Sequence, residues 1–315
     1  MVLTNHLARP FRADYTGSTF IVTPLTLPAP GVLFSAKWSR DGGTAAYLAS
    51  GSGSDLTLDV FSLSGRAVRH LIPWADSNGS PSISSDGRFI AFAQDISRVQ
   101  VVATDGTPPR SVASDGHGIA GQPAWSPNNE MLAWANDNGQ VVASTLAGRQ
   151  VRIVDIPGWK MSEPVWLPDG RGVVVLLSSG AGAGLARVEV GQNPKPVMLT
   201  WQPRGGAVSE VSVAPDGTSI AFTDTADISR RPVPMWSLCT VDSAGTDVRQ
   251  VAPEVSVSAS SPPTWSPDSH WVLFAGPDGV MTVRSDGSGT LRVAGTADTS
   301  GVQGPGVSYA WVASG

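Results

Sequence analysis

The chain repeats itself. A bulky residue leading into a polar turn recurs as Trp38-Ser-Arg-Asp-Gly, Ile83-Ser-Ser-Asp-Gly, Trp125-Ser-Pro-Asn-Asn, Trp166-Leu-Pro-Asp-Gly, Val213-Ala-Pro-Asp-Gly and Trp265-Ser-Pro-Asp-Ser, with an echo at Trp311-Val-Ala-Ser-Gly. Successive anchors lie 45, 42, 41, 47, 52 and 46 residues apart. A unit of that length cannot bury its own apolar surface and must stack on its neighbours, and the period is that of four-stranded propeller blades.

Each anchor is followed by a short apolar run: Ala45-Ala-Tyr-Leu, Phe89-Ile-Ala-Phe, Met131-Leu-Ala-Trp, Val173-Val-Val-Leu-Leu, Ile220-Ala-Phe and Trp271-Val-Leu-Phe. Their length and their β-branched and aromatic content read as strand rather than helix. The anchor therefore closes a strand A and the run is strand B, joined by a hairpin in which aspartate caps the turn and glycine accepts positive φ. A second hairpin, strands C and D, ends each repeat: Gly65, Gly106, Gly148, Gly191 and Gly245 each precede a cation by four residues, and Gly287 precedes Arg292 by five. Those cations fall on the outermost strand, where charge discourages edge-to-edge pairing.

Six complete repeats run from Trp38 to Trp311, and the residues left at the two ends make about one more blade. Read circularly, Gly306–Trp311 is its strand A, Met1–Thr4 strand B, Phe11–Tyr15 strand C and Phe20–Thr23 strand D. The expectation is an all-β, single-domain, seven-bladed β-propeller over residues 1–315, closed by N-terminal strands pairing with the C-terminal strand. A six-bladed ring is the alternative, and it would leave Trp311 surplus.

The Ala214-Pro-Asp-Gly turn, the Ile220-Ala-Phe strand and the Val241…Gly245…Arg249 hairpin, repeated in order along almost the whole chain, resemble the TolB-like (WD40-like PD40 repeat) β-propeller family. The resemblance implies the framework and leaves the role open, because similar propellers serve as protein-interaction platforms, gatekeeping domains of enzymes and ligand binders. TolB proteins themselves are exported and carry a second α/β domain, and prolyl-oligopeptidase-type enzymes join a similar propeller to a hydrolase domain. Neither an export signal nor such a domain is readable in this sequence.

Chemistry is sparse. No Gly-x-Ser-x-Gly occurs, the four histidines have no metal-ligand spacing, and Cys239 as the sole cysteine allows neither an internal disulfide nor a cysteine zinc cage. Asp224-Thr-Ala-Asp227 and Asp242…Asp247 are read as turn caps rather than calcium ligands. No catalytic residue, metal or cofactor is assigned; paired carboxylates across the central channel stay open as a glycosidase-type alternative. With 21 basic against 26 acidic residues, the chain offers no general field for nucleic acid, and no apolar run of 18 residues predicts membrane insertion. The compartment is undetermined, the cytoplasm being the default.

In an A-B-C-D blade, the B–C loops and D–A crossings share one face, and the longer segments (50–56, 178–184, 224–235, 252–263 and 294–306) are placed there. Rigid scaffolds present binding residues on such loops. Candidate binding residues are Trp74, His117, Trp159, Trp201, Arg204, Arg230, Arg231 and Trp236, with Glu163 and Glu210 nearby. The expected role is a non-enzymatic scaffold docking a protein partner through this face. The alternatives are a carbohydrate-binding or glycoside-processing propeller with its site at the channel, and a structural subunit of a larger assembly.

Overall fold

The computed structural model describes residues 2–4, 11–15, 20–24, 32–50, 56–65, 67–74, 80–94, 98–113, 116–148, 150–190, 196–225, 236–255, 262–276, 279–295 and 308–311. Every element among them is a strand. The first three are β1 (Val2–Thr4), β2 (Phe11–Tyr15) and β3 (Phe20–Pro24). Blade 1 follows with β4 (Val32–Trp38), β5 (Thr44–Ser50), β6 (Leu56–Ser62) and β7 (Ala67–Trp74), and blade 2 with β8 (Ser82–Ile83), β9 (Phe89–Gln94), β10 (Arg98–Ala103) and β11 (Arg110–Ala113). Blade 3 holds β12 (Ile119–Trp125), β13 (Met131–Asn136), β14 (Val141–Thr145) and β15 (Gln150–Val154), and blade 4 holds β16 (Lys160–Trp166), β17 (Gly172–Ser179), β18 (Gly182–Glu189) and β19 (Val197–Pro203). Blade 5 is β20 (Ala207–Val213), β21 (Ser219–Thr225), β22 (Trp236–Asp242) and β23 (Arg249–Val255). Blade 6 is β24 (Thr264–Trp265), β25 (Trp271–Gly276), β26 (Gly279–Arg284) and β27 (Leu291–Gly295), and the last strand is β28 (Ser308–Ala310).

These strands make seven four-stranded antiparallel sheets: six continuous in the chain and one composite, in the order β28-β1-β2-β3. Val2, Leu3 and Thr4 pair with Ala310, Tyr309 and Ser308, so the expected closure is present. The composite sheet meets both neighbours, β28 packing beside β4 and β3 beside β27. A strand of one blade lies next to a strand A of the following blade (β4 with β8, β8 with β12, β12 with β16, β16 with β20, β20 with β24), which makes the A strands the inner ring.

The repeated turn is a small machine of hydrogen bonds. Ser39 Oγ donates to Asp41 Oδ1 at 2.5 Å and accepts from Thr44 N at 3.0 Å, while Asp41 Oδ1 also accepts from Gly43 N. Ser84 with Asp86, Ser126 with Asn128 and Ser266 with Asp268 repeat it. The left-handed position is filled by Gly42, Gly87, Gly170 and Gly217 at φ 68–74°, and by Asn129 and Ser269 at φ 60° and 62° in the two blades lacking that glycine.

Apolar clusters fill the wedges between blades, as with Val141 and Val154 of blade 3 against Met161, Trp166 and Val175 of blade 4, and each fully buried Val, Leu, Ile, Phe or Met side chain contributes roughly 1.5–3 kcal/mol. The anchor tryptophans add a bond. Trp125 Nε1 donates to Ser82 O, Trp166 Nε1 to Ala124 O, Trp265 Nε1 to Ser212 O and Trp311 Nε1 to Thr264 O, at 3.1–3.3 Å. Each acceptor immediately precedes the anchor of the previous blade, so one interaction is copied around the ring. The outer-strand cations do more than guard an edge: Arg69 donates to the Asp105 carbonyl and Arg110 Nη1 to the Leu146 carbonyl at 2.7 Å, both in the C–D turn of the next blade. Lys195 lies outside the described residues.

Candidate functional site

Four inner strands are irregular. Their register shifts fall between Phe34 and Lys37, Ala120 and Ala124, Ser162 and Val165, and Ser209 and Ser212. Bulges re-aim side chains, and here they carry Glu163 and Glu210 at φ 48° and 49°, a region uncommon for a residue with a Cβ. The two glutamates each stand three residues before their anchor, where blade 3 has Gln122.

These residues line one axial cavity of about 430 Å³ together with Lys37, which comes from blade 1. Burial, the largest influence, holds the Lys37 ammonium below the ordinary lysine value, and Glu163 and Glu210 oppose it. Burial likewise raises Glu163, against the pull of Lys37. Glu163 keeps open surface of its own, yet the channel wall surrounds it; Glu210 is 5% exposed. Gln122 is committed to the frame through Nε2, which donates to Pro81 O at 2.6 Å.

A second, open cavity of about 610 Å³ lies on the face of the B–C turns and D–A crossings, with Asn138, Asp155, Trp159, Lys160 and Ser178 in its lining. Trp159 is half-buried against the core between blades 3 and 4, and it meets Trp201 edge-on, ring centroids 5.0 Å apart and planes at 86°. Trp201 is 39% exposed. Its ring lies over Gly182, where a Cβ would stand 2.8 Å from it, so bare backbone makes the seat. His117 joins the same rim: the Asn138 side chain lies 3.1 Å from His117 Nδ1, and Asp137 Oδ1 is 3.8 Å away.

The structure thus brings Trp159 and Trp201 into contact and sets His117 beside them, with Arg204 exposed just past β19. Trp236 goes elsewhere: it is half-buried against the core cluster between blades 5 and 6 to which Leu238, Val255 and Phe274 belong. Trp74 ends β7, its side chain outside the described residues; Arg230 and Arg231 lie outside them altogether, as do most of the longer loops. The segment 178–184 is no loop but a tight hairpin, with Ser179 paired to Gly182. Lys37 escaped the sequence reading, since a lone lysine before a tryptophan carries no pattern. The recurrence of Gln122, Glu163 and Glu210 at one repeat position was the available signal.

Asp242 and Cys239 have structural roles. Asp242 accepts from Thr246 N and Thr246 Oγ1, which hold its carboxyl below the ordinary value, as turn capping requires. Cys239 is buried and donates to Asp224 Oδ1 at 3.3 Å, and burial with that carboxylate pushes the thiol far up, away from thiolate. Among the described residues, no three His, Cys, Asp or Glu side chains are grouped to hold a metal, and no helix is long and apolar enough to cross a membrane.

The model of the PD40 family, the TolB beta propeller domain, matches residues 25–269. A curated relative, the uncharacterized peptidase YuxL of Bacillus subtilis (strain 168), is 35% identical over 68 residues, which are 20% of this chain and 10% of that protein. The chain therefore spans a small part of that relative's length. TolB from Acinetobacter baumannii superposes with a TM-score of 0.57 at 18% identity, over 88% of this chain and 77% of that one. An oligogalacturonate lyase in complex with manganese gives 0.65 at 14% identity, over 94% and 86%. At such identities the two likenesses concern the fold alone.

Proposed function

Because this chain belongs to the TolB beta propeller (PD40) family, we propose that it is a non-enzymatic binding module whose B–C and D–A face docks a protein partner. The observation that carries this is the Trp159–Trp201 pair: an indole left 39% exposed, held rigid by a second indole and a glycine seat, beside an open cavity. Aromatic anchors of this kind, with His117 at the same rim and Arg204 exposed just past β19, are what interface hot spots are made of. The test is affinity capture from the native host with wild type, Trp201→Ala and the charge-reversed Arg230→Glu/Arg231→Glu chain. Loss of a specific partner with Trp201→Ala supports the reading, and identical capture by all three removes this face as the dock.

The axial cavity favours a second reading, a carbohydrate-processing site. Two carboxylates converge there, and a carboxyl raised by burial, as Glu163 is, suits a general acid. Cleavage of an oligosaccharide panel by the wild type, lost in Glu163→Gln and in Glu210→Gln, would support it; no turnover of any member would count against it.

A further inference from the structure

The axial cavity has an unbalanced lining. Among the described residues, its charged side chains are Lys37, Glu163 and Glu210, one cation against two anions, delivered by blades 1, 4 and 5. The rest of the wall offers hydroxyls, the Gln122 amide and apolar surface from Pro123, Pro164, Val165 and Val211. A volume of about 430 Å³ falls among small-ligand sites, which run from roughly 300 to 1,000 Å³. Burial works against the charges of Lys37 and Glu163, and each of the two is relieved by opposite charge. In such surroundings, where the effective dielectric is far below that of water, a net negative lining discriminates sharply between a cation and a neutral molecule of the same shape.

We infer that this cavity binds one organic cation, a primary ammonium or guanidinium on a short aliphatic stem, with its charge at Glu163 and Glu210 and its stem along Pro164, Val165 and Val211. Lys37 is then the resident rival: it supplies part of the counter-charge when the cavity holds no guest and weakens the guest's hold. The same chemistry is presented by a free alkylamine and by a lysine or arginine side chain of a peptide. The inference concerns which charge the cavity selects, and it stands whether or not the outer face docks a partner or bonds are cleaved in the channel.

The full chain is titrated calorimetrically at low ionic strength with n-butylammonium, n-butylguanidinium and the neutral n-butyramide, and with capped Gly-Gly-Lys-Gly-Gly and its norleucine counterpart. Cations are expected to bind at least about tenfold more tightly than their neutral counterparts. Glu163→Gln, which copies the Gln122 of blade 3, should lower cation affinity about tenfold and leave butyramide unchanged. Lys37→Met should raise cation affinity severalfold, an outcome that a purely structural lysine would not give. Tighter binding of the lysine peptide than of butylammonium identifies a peptide as the source, and the reverse identifies a free amine. Thermal midpoints are read first, with Lys37→Gln standing in if Lys37→Met does not fold. Equal affinity for cation and neutral, no binding of either, or a folded Lys37 variant with unchanged affinity overturns the inference.

Discussion

Asn129 and Ser269 hold a left-handed backbone that glycine takes elsewhere in the repeat, at a cost of roughly 1–2 kcal/mol each. Each side chain offsets this by bonding a neighbouring blade: Asn129 Oδ1 accepts from Ser85 N at 2.8 Å and Ser269 Oγ from Asp216 N at 3.2 Å. Asn129→Ala keeps the strain and loses the bond, so urea unfolding should show a loss of about 1–3 kcal/mol, while Asn129→Gly, relieved of strain, should fall within about 1 kcal/mol of wild type. The Ser39–Asp41 pair carries a pH signature. The Ser39 hydroxyl, then Gly43 N–H, hold the Asp41 carboxyl below 3.8, so its contribution is present above that value and is lost as pH falls through the lower, folded one. The stability gap between wild type and Ser39→Ala should therefore be widest near neutrality and narrow below 3.8 in pH-dependent melts; a gap constant with pH would refute the linkage. These turn roles were legible because Ser-x-Asp-Gly is local chemistry. Lys37 was not, because only the inner-strand register turns it toward carboxylates three blades away in either direction round the ring.

At the scale of the element, the second hairpin gained a meaning that spacing alone could not supply. Gly245 has φ 80°, and a Cβ there would stand 2.7 Å from the Met198 carbonyl of the preceding blade, so the turn is glycine both for its twist and for the approach. Gly245→Ala is expected to cost about 2 kcal/mol or more, visible as a lower urea midpoint. The cation four residues after such glycines was legible as an outer-strand residue. That Arg69 and Arg110 reach into the next blade was not, since blade-to-blade offsets leave no trace in a single repeat. The anchors show the same limit: their place at the end of strand A was readable from the repeat, their indole bonds were not. Trp271 is half-buried and has the Arg284 guanidinium 5.1 Å from the centre of its ring.

At the scale of the whole molecule, seven sheets and their closure were legible because the arithmetic of the repeat left one blade to be shared by the two ends. The position of the docking candidates was legible only as a face, since the loops vary where the strands do not. The closing seam differs from the others. Trp38 Nε1 is buried without a hydrogen-bond partner among the described residues, where its counterparts in blades 3, 4 and 6 reach a neighbouring carbonyl. Removing residues 308–315 deletes β28, leaves β1 as an open edge and unseats β4; the thermal midpoint should fall by at least about 5 °C, with self-association on size exclusion, whereas an unchanged melt would mean that closure adds nothing.

The antiparallel closure also sets how the ring yields to tension. Val2 stands opposite Ala310, so ends pulled from those two residues leave the pair at the same point, and load would part Val2 from Ala310 first, then Leu3 from Tyr309, then Thr4 from Ser308. Bonds broken in succession resist far less than bonds sheared together. Tethered by both ends, this wheel would open as a zipper does, at its seam, while its six continuous blades were still intact.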